Sequence, residues 1–110
     1  MNKTLEVEIT QLHAEICAGL ADPNRILILY ALSQSSRNVT ELCNELEMSQ
    51  PLVSRHLKVL RERGMVTTER RGTLVVYSLG DKRLIEALDL LRAVMHDNLT
   101  KRARLAQVLS

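Results

Sequence analysis

The chain has 110 residues, enough for one domain, and its net charge is only +2. Phe and Trp are absent and Tyr occurs twice, so the core must be aliphatic, and the lack of aromatic platforms argues against binding of single-stranded nucleic acid. The charge is unevenly placed, because residues 55–71 hold six basic side chains against two acidic ones and the remainder is net acidic. Such a local basic patch is typical of a protein that binds nucleic acid.

No part of the sequence predicts export or membrane insertion. The N-terminal residues lack an apolar run of the signal-peptide type, and the longest apolar run, residues 26–32, is far too short to span a bilayer. With two cysteines and no secretory signal, we expect a reduced, cytoplasmic setting and no membrane partner.

The first third of the chain predicts two helices. Apolar side chains recur every three or four residues at Leu5, Ile9, Leu12, Ile16 and Leu20. This spacing predicts a first helix over about residues 4–19, with Gly19 near its end. Asp22 and Pro23 suit an N-cap and a first helical residue, so we expect a second helix over about residues 24–33. It is apolar nearly all round and therefore belongs in the centre of the core.

The next segment predicts a helix-turn-helix. Asn38 and Glu41 form a capping box for a third helix over about residues 39–46, and a tight turn leads into Ser49, the expected cap of a fourth. One side of this fourth helix is apolar, at Val53, Leu57 and Leu60. The other carries hydrogen-bonding or cationic side chains, at Gln50, Ser54, Arg55 and Lys58. That is the form of a helix that enters the major groove, although an ordinary amphipathic helix has the same pattern.

After Gly64 the pattern changes to β-strand. Two runs rich in β-branched residues, 65–70 and 73–79, flank Arg71-Gly72 and predict a hairpin with two adjacent arginines near its tip. A basic hairpin directly after a recognition helix is typical of a wing that reaches phosphates or the minor groove.

The chain ends in a long predicted helix with Asp81 as its candidate cap. Its apolar stripe is Leu84, Leu88, Leu91, Met95 and Leu99. If it runs to about residue 105 it is on the order of 37 Å long, more than a domain of this size covers with its own body. The first helix also lacks an obvious internal partner, so we expect a homodimer through the first and last helices.

The predicted fold is thus mainly α with a β-hairpin wing (α+β), in the order α-α-α-α-β-β-α, as a single winged helix-turn-helix domain over residues 1–110.

Three segments resemble the ArsR/SmtB family of winged-helix repressors: LADPNRILIL at residues 20–29, SQPLVSRHLKVLR at 49–61, and the stretch from GMV at 64–66 to the end of the hairpin. The resemblance covers roughly residues 12–80. It implies a homodimer that binds a palindromic operator in double-stranded DNA and leaves it when an inducer arrives.

Position by position, the resemblance implies a set of DNA contacts. The candidates for contact with bases are Gln50, Pro51, Ser54 and Arg55. Arg55 suits a bidentate contact with guanine and Gln50 one with adenine. The candidates for contact with phosphates are Ser49, Lys58, Arg70 and Arg71. His56 lies beside this face and is better explained by packing at the helix flank.

The resemblance also implies two possible metal sites, but this chain lacks ligand residues at both of them. Where the family has Cys-Val-Cys in the third helix, this chain has Asn38, Val39 and Thr40. At the site on the last helix the corresponding positions hold Asp81, Arg83, Val94 and Asp97. Both histidines are missing there, and a cation at Arg83 opposes a divalent metal. We therefore predict no metal ion at either place and assign no cofactor.

Cys17 and Cys43 leave two interpretations open. Free cysteines are often small buried hydrophobes. Alternatively they form a thiol switch or bind a soft ion such as arsenite or Zn²⁺, with His13 as a candidate third ligand. An inducer that binds elsewhere in the dimer, a small molecule or a protein, is equally open.

Other classes of function compete less well. An enzyme is disfavoured, because no nucleophile has a base beside it and no glycine-rich phosphate loop is present. A non-sensing architectural DNA-binding protein and a winged-helix module that binds an acidic protein remain alternatives. Gln50 and Ser54 favour base recognition over both, because a purely electrostatic binder does not need them.

Overall fold

The computed structural model describes residues 1–109, which form five helices and one antiparallel hairpin. The elements are α1 (Lys3–Leu12), continued by a π-helical turn (His13–Cys17), then α2 (Pro23–Gln34), α3 (Val39–Leu46), α4 (Gln50–Glu62), β1 (Val66–Arg71), β2 (Leu74–Leu79) and α5 (Arg83–Leu109). The predicted element order and fold class are confirmed.

The helix starts follow from local side-chain chemistry in all but one case. Asp22 Oδ1 accepts a hydrogen bond from Asn24 N at 2.8 Å, and Asn38 and Glu41 form the reciprocal capping box. Ser49 stands at the N-cap position of α4, but its hydroxyl makes no capping hydrogen bond, so that part of the prediction is wrong. Because Pro51 has no backbone N–H, the first turn of α4 has one donor fewer that needs a cap.

The first helix differs from the single regular helix expected over residues 4–19. Regular α-helix ends at Leu12, and the backbone then widens into a π-helical turn in which Ala18 N donates to His13 O at 2.9 Å. Single π turns of this kind are frequent at functional sites.

One aliphatic core joins α2, α3, α4 and the start of the hairpin. The fully buried side chains are Ile28, Leu29, Leu42, Val53, Leu57, Leu60 and Met65. Helix α2 is central, as predicted, although Leu27 on its outer side is 48% exposed. Burial on this scale stabilises by ~1.5–3 kcal/mol for each large aliphatic side chain.

The hairpin is a two-stranded wing. Val66 pairs with Leu79 and Arg71 with Leu74, which leaves Gly72 and Thr73 as a two-residue turn. Gly72 has a φ of +63°, a left-handed conformation that this tight turn requires and glycine adopts without strain.

The outer helices have little contact with this core. Helix α1 buries no residue and α5 buries only Leu88. The start of α5 is fastened to α2, because Tyr30 Oη donates to Asp89 Oδ1 at 2.6 Å. No helix within residues 1–109 is long and apolar enough to cross a membrane.

Candidate nucleic-acid interface

The polar side of α4 is an exposed set of hydrogen-bond donors. Its members are Gln50, Ser54, Arg55 and Lys58, with Ser49 and Pro51 exposed at its start. None of these side chains is hydrogen-bonded to another part of residues 1–109. The donors are therefore available to an external acceptor, and the structure brings the predicted base-contacting and phosphate-contacting residues of α4 onto one surface.

The opposite side of α4 fixes the helix in the core. Val53, Leu57 and Leu60 are each 0% exposed. Helix α3 packs against α4 across a turn in which Glu47 has a φ of +53° and donates its N–H to Cys43 O. This is the helix-turn-helix arrangement, with α4 as the second helix.

The two wing arginines differ in their electrostatic environment. Arg71 lies 3.2 Å from Glu69 in an ion pair that is well exposed to solvent. Arg70, its neighbour on β1, is exposed and forms no ion pair within residues 1–109. Successive strand residues point to opposite faces, so the two guanidinium groups leave the wing in opposite directions. Arg70 is therefore the wing's unpaired cation.

Arg63 belongs to the basic segment in sequence but not to the basic surface. Its Nη1 atom donates to the backbone carbonyl oxygens of Ala14 and Glu15, both in the π-helical turn after α1. This role was missed from the sequence, where Arg63 only added to a count of charges. Spacing along α4 carries no signal for a contact with a residue 48 or 49 positions away.

His56 is buried, which confirms that it packs at the flank of α4. It is 5% exposed, and its Nδ1 atom lies 3.3 Å from Nη1 of Arg25. Its Nε2 atom lies 3.9 Å from Asp22 Oδ2, beyond hydrogen-bond distance. Arg25 also donates to Gly19 O at 2.7 Å and to Ala18 O at 3.2 Å. Sequence reasoning assigned no role to this arginine, although it lies in the LADPNR segment.

The two cysteines occupy different environments. Cys17 ends the π-helical turn and is exposed, so it is not a buried hydrophobe. Cys43 is half-buried on α3 and packs against the core, which agrees with the interpretation of this cysteine as a small hydrophobic residue. Both are free thiols.

At the start of α5, Asp81 forms an ion pair with Arg83. Arg83 Nη2 lies 2.6 Å from Asp81 Oδ2, and the Arg83 backbone N–H donates to Asp81 Oδ1 at 2.9 Å. The side-chain hydrogen bond from Arg83 is the main reason that the pKa of Asp81 falls from 3.8 to about 2. Asp81 therefore caps α5, as predicted, and faces a cation. Val94 and Asp97 lie further along α5 and are exposed.

A family model and several known proteins are similar to this chain, and all of them are transcriptional regulators. Residues 22–68 match the model of the family described as "Bacterial regulatory protein, arsR family". The chain is 45% identical over 89 residues to the HTH-type transcriptional repressor SmtB of Mycobacterium tuberculosis, an alignment that covers 81% of this chain but only 64% of that protein. It is 39% identical to the HTH-type transcriptional regulator NmtR of the same species, with 76% of this chain and 68% of the relative covered.

A solved structure extends the match to most of the fold. The crystal structure of M. tuberculosis Rv0081 superimposes with a TM-score of 0.77 at 33% sequence identity. The superposition covers 86% of this chain and 96% of that one. The similarity therefore extends over most of the length of this chain.

Proposed function

Because the chain belongs to the arsR family of bacterial regulatory proteins, we propose that it is a transcriptional repressor that binds double-stranded DNA as a homodimer. The observation that carries the proposal is α4, whose exposed side presents Gln50, Ser54 and Arg55 while Leu57 and Leu60 hold the other side in the core. A helix fixed in this way presents donors at constant positions to base edges in the major groove.

The outer helices support the homodimer. Leu91, Met95 and Leu99 of α5 are at least half exposed, and α1 exposes Leu12 to the same extent. Apolar stripes of this length are covered in stable proteins, and a second copy of the chain offers the same stripes. A two-fold dimer would place two α4 helices on one side and match a palindromic operator.

We assign different roles to α4 and the wing. Arg55 and Gln50 would read bases, with Pro51 and Ser54 beside them, whereas Ser49, Lys58, Arg70 and Arg71 would contact phosphates. Ser49 suits this role because its hydroxyl is not used as a helix cap. Arg70 should contribute more than Arg71, whose charge is already opposed by Glu69.

Footprinting on DNA upstream of the protein's own gene tests the proposal. We expect protection of an inverted repeat, and an Arg55→Ala variant should lose discrimination at one base pair of each half-site. An Arg70→Ala variant is the matched control: it should weaken binding to all sequences and reduce the salt slope by about 2, because the homodimer loses one phosphate contact in each protomer. Equal affinity of the wild type for the repeat and for scrambled DNA would instead identify a non-sensing architectural protein.

Release by an inducer is a further part of the proposal, and a thiol-based response is one form of it. Cys17 is the better candidate because it is exposed, whereas Cys43 is half-buried. Reduced thiols fit the cytoplasmic setting in which a DNA-binding repressor acts.

Single serine variants separate the two cysteines. We would measure release from the protected DNA on addition of an oxidant, arsenite or Zn²⁺. If Cys17 is the sensor, Cys17→Ser should abolish the response and Cys43→Ser should retain it. A response that survives in both single variants and in the double variant would eliminate the thiol hypothesis and point to another inducer.

A further inference from the structure

We infer that Arg63, Arg25 and His56 are positioning residues that fix the orientation of the recognition helix α4 against the segment that follows α1, from the π-helical turn (His13–Cys17) to Gly19. We call these three side chains the α1 anchor, together with the four carbonyl groups that they engage, those of Ala14, Glu15, Ala18 and Gly19. The inference rests on the proposed function, because it concerns how α4 meets base edges.

The first arm of the anchor runs through Arg25. Its guanidinium donates to Gly19 O at 2.7 Å and to Ala18 O at 3.2 Å, and its third contact is His56 Nδ1 at 3.3 Å. Since an arginine only donates, Nδ1 is the acceptor in this contact. Arg25 therefore joins the carbonyl groups that follow the π-helical turn to His56 in the middle of α4, a residue that is only 5% exposed.

The second arm runs through Arg63, directly after α4. Its Nη1 atom donates to Ala14 O and Glu15 O. Carbonyl groups at the end of a helix carry partial negative charge and need donors, which a guanidinium supplies. The two arms hold α4 at its middle and at its end, so a rotation of α4 would have to break at least one of them.

Close packing leaves the anchor little freedom. A Cβ built on Gly19 would lie 2.8 Å from Met65 Sδ and 3.0 Å from Arg63 Cδ. Glycine at this position thus lets Arg63 and Met65 approach the backbone just after the π-helical turn. The position of the π-helical turn is coupled to the start of the wing as well as to α4.

The anchor matters for base recognition because of where His56 lies. Arg55 precedes it in the sequence and is exposed on the DNA-facing side. Bidentate contacts with a base tolerate little displacement, whereas contacts with phosphates depend mainly on charge. Loss of the anchor should therefore reduce specific binding and leave non-specific binding unchanged.

The experiment uses the full chain and two DNA duplexes. One is selected by the wild-type protein from a random-sequence pool, and the other is its scrambled version. We expect Arg63→Met and His56→Leu each to lower affinity for the selected duplex about tenfold, with affinity for the scrambled duplex and the salt slope unchanged. His56→Asn, which keeps an acceptor near the position of Nδ1, should restore most of the specific affinity.

Lys58→Met on the same helix is the control for simple loss of charge. It should weaken binding to both duplexes and flatten the salt slope. Circular dichroism would confirm that every variant is folded at the temperature of the binding assay. Unchanged specific affinity in both folded variants, or an equal loss on both duplexes, would overturn the inference. If the wild type selects no sequence, the proposed function itself fails, which is a distinct result.

Discussion

Residues 23–79, which we call the body, bury a core of their own, whereas α1 and most of α5 do not. Seven body side chains are 0% exposed, but α1 has no buried residue and α5 has only Leu88. Both regions carry apolar stripes of the same kind in the sequence. The difference teaches that helical spacing identifies the apolar side of a helix but not the molecule that covers it. The body buries its core within one chain, whereas the proposed homodimer would cover the outer helices with a second copy.

The largest expected effect is at the centre of the body. Leu57→Ala should lower the free energy of unfolding by ~2–5 kcal/mol, because it leaves a cavity among side chains that cannot collapse into it. Leu74→Ala in the wing, where the side chain is 52% exposed, is the matched control and should cost well under ~1 kcal/mol. Urea unfolding measures both, and equal losses would show that the body does not have the packed core described above.

The next prediction tests the outer helices. Met95→Glu should raise the dissociation constant of the dimer by at least ~100-fold, because an unpaired carboxylate buried in an apolar interface costs several kcal/mol. Ala93→Glu introduces the same charge on the opposite side of α5 and should change the constant little. Sedimentation equilibrium gives the constants. If Met95→Glu leaves association intact, Met95 lies outside the interface and the proposed dimer geometry is wrong.

Local signals explain what could be predicted from the sequence. The starts of α2, α3 and α5 depend on Asp22, Asn38 and Asp81, each of which caps its helix through hydrogen bonds within two or three residues. The donor-rich side of α4 was equally visible, since it follows from helical periodicity.

Contacts between distant residues explain what could not be predicted. Arg63 and Arg25 are polar residues whose spacing fits a solvated surface, yet both donate to backbone carbonyls of residues 14–19, and Arg25 also contacts His56. The π-helical turn has no pattern of its own, because its apolar residue Ile16 also fits a regular helix. Only the assembled structure brings these groups together.

A smaller effect compares two asparagine caps. Asn38→Ala should lower the stability of the body by about 1 kcal/mol, because it removes a reciprocal capping box from α3. Asn2→Ala removes the cap of α1, where Asn2 Oδ1 accepts from Thr4 N at 2.7 Å. That helix start is exposed and lies outside the core, so Asn2→Ala should alter hydrogen exchange of the first turn and leave the unfolding midpoint in place. A shift of the midpoint as large as that of Asn38→Ala would mean that α1 folds as part of the body.

The smallest effect lies at the junction where α5 leaves the body. The pKa of Asp81 is lowered to about 2 from 3.8, chiefly by the hydrogen bond from the Arg83 side chain. A depressed carboxyl pKa adds stability that is fully present above about pH 4 and is lost as the pH falls toward 2. Asp81→Asn keeps the capping oxygen but removes the charge, so wild type and variant should differ slightly at pH 5 and converge toward pH 2. Both groups are well exposed, and about 1 M salt should remove most of the difference. Equal stability of the two proteins at pH 5 would show that Asp81 acts through its cap alone, and a difference that persists in acid or in salt would show that the charge is not its cause.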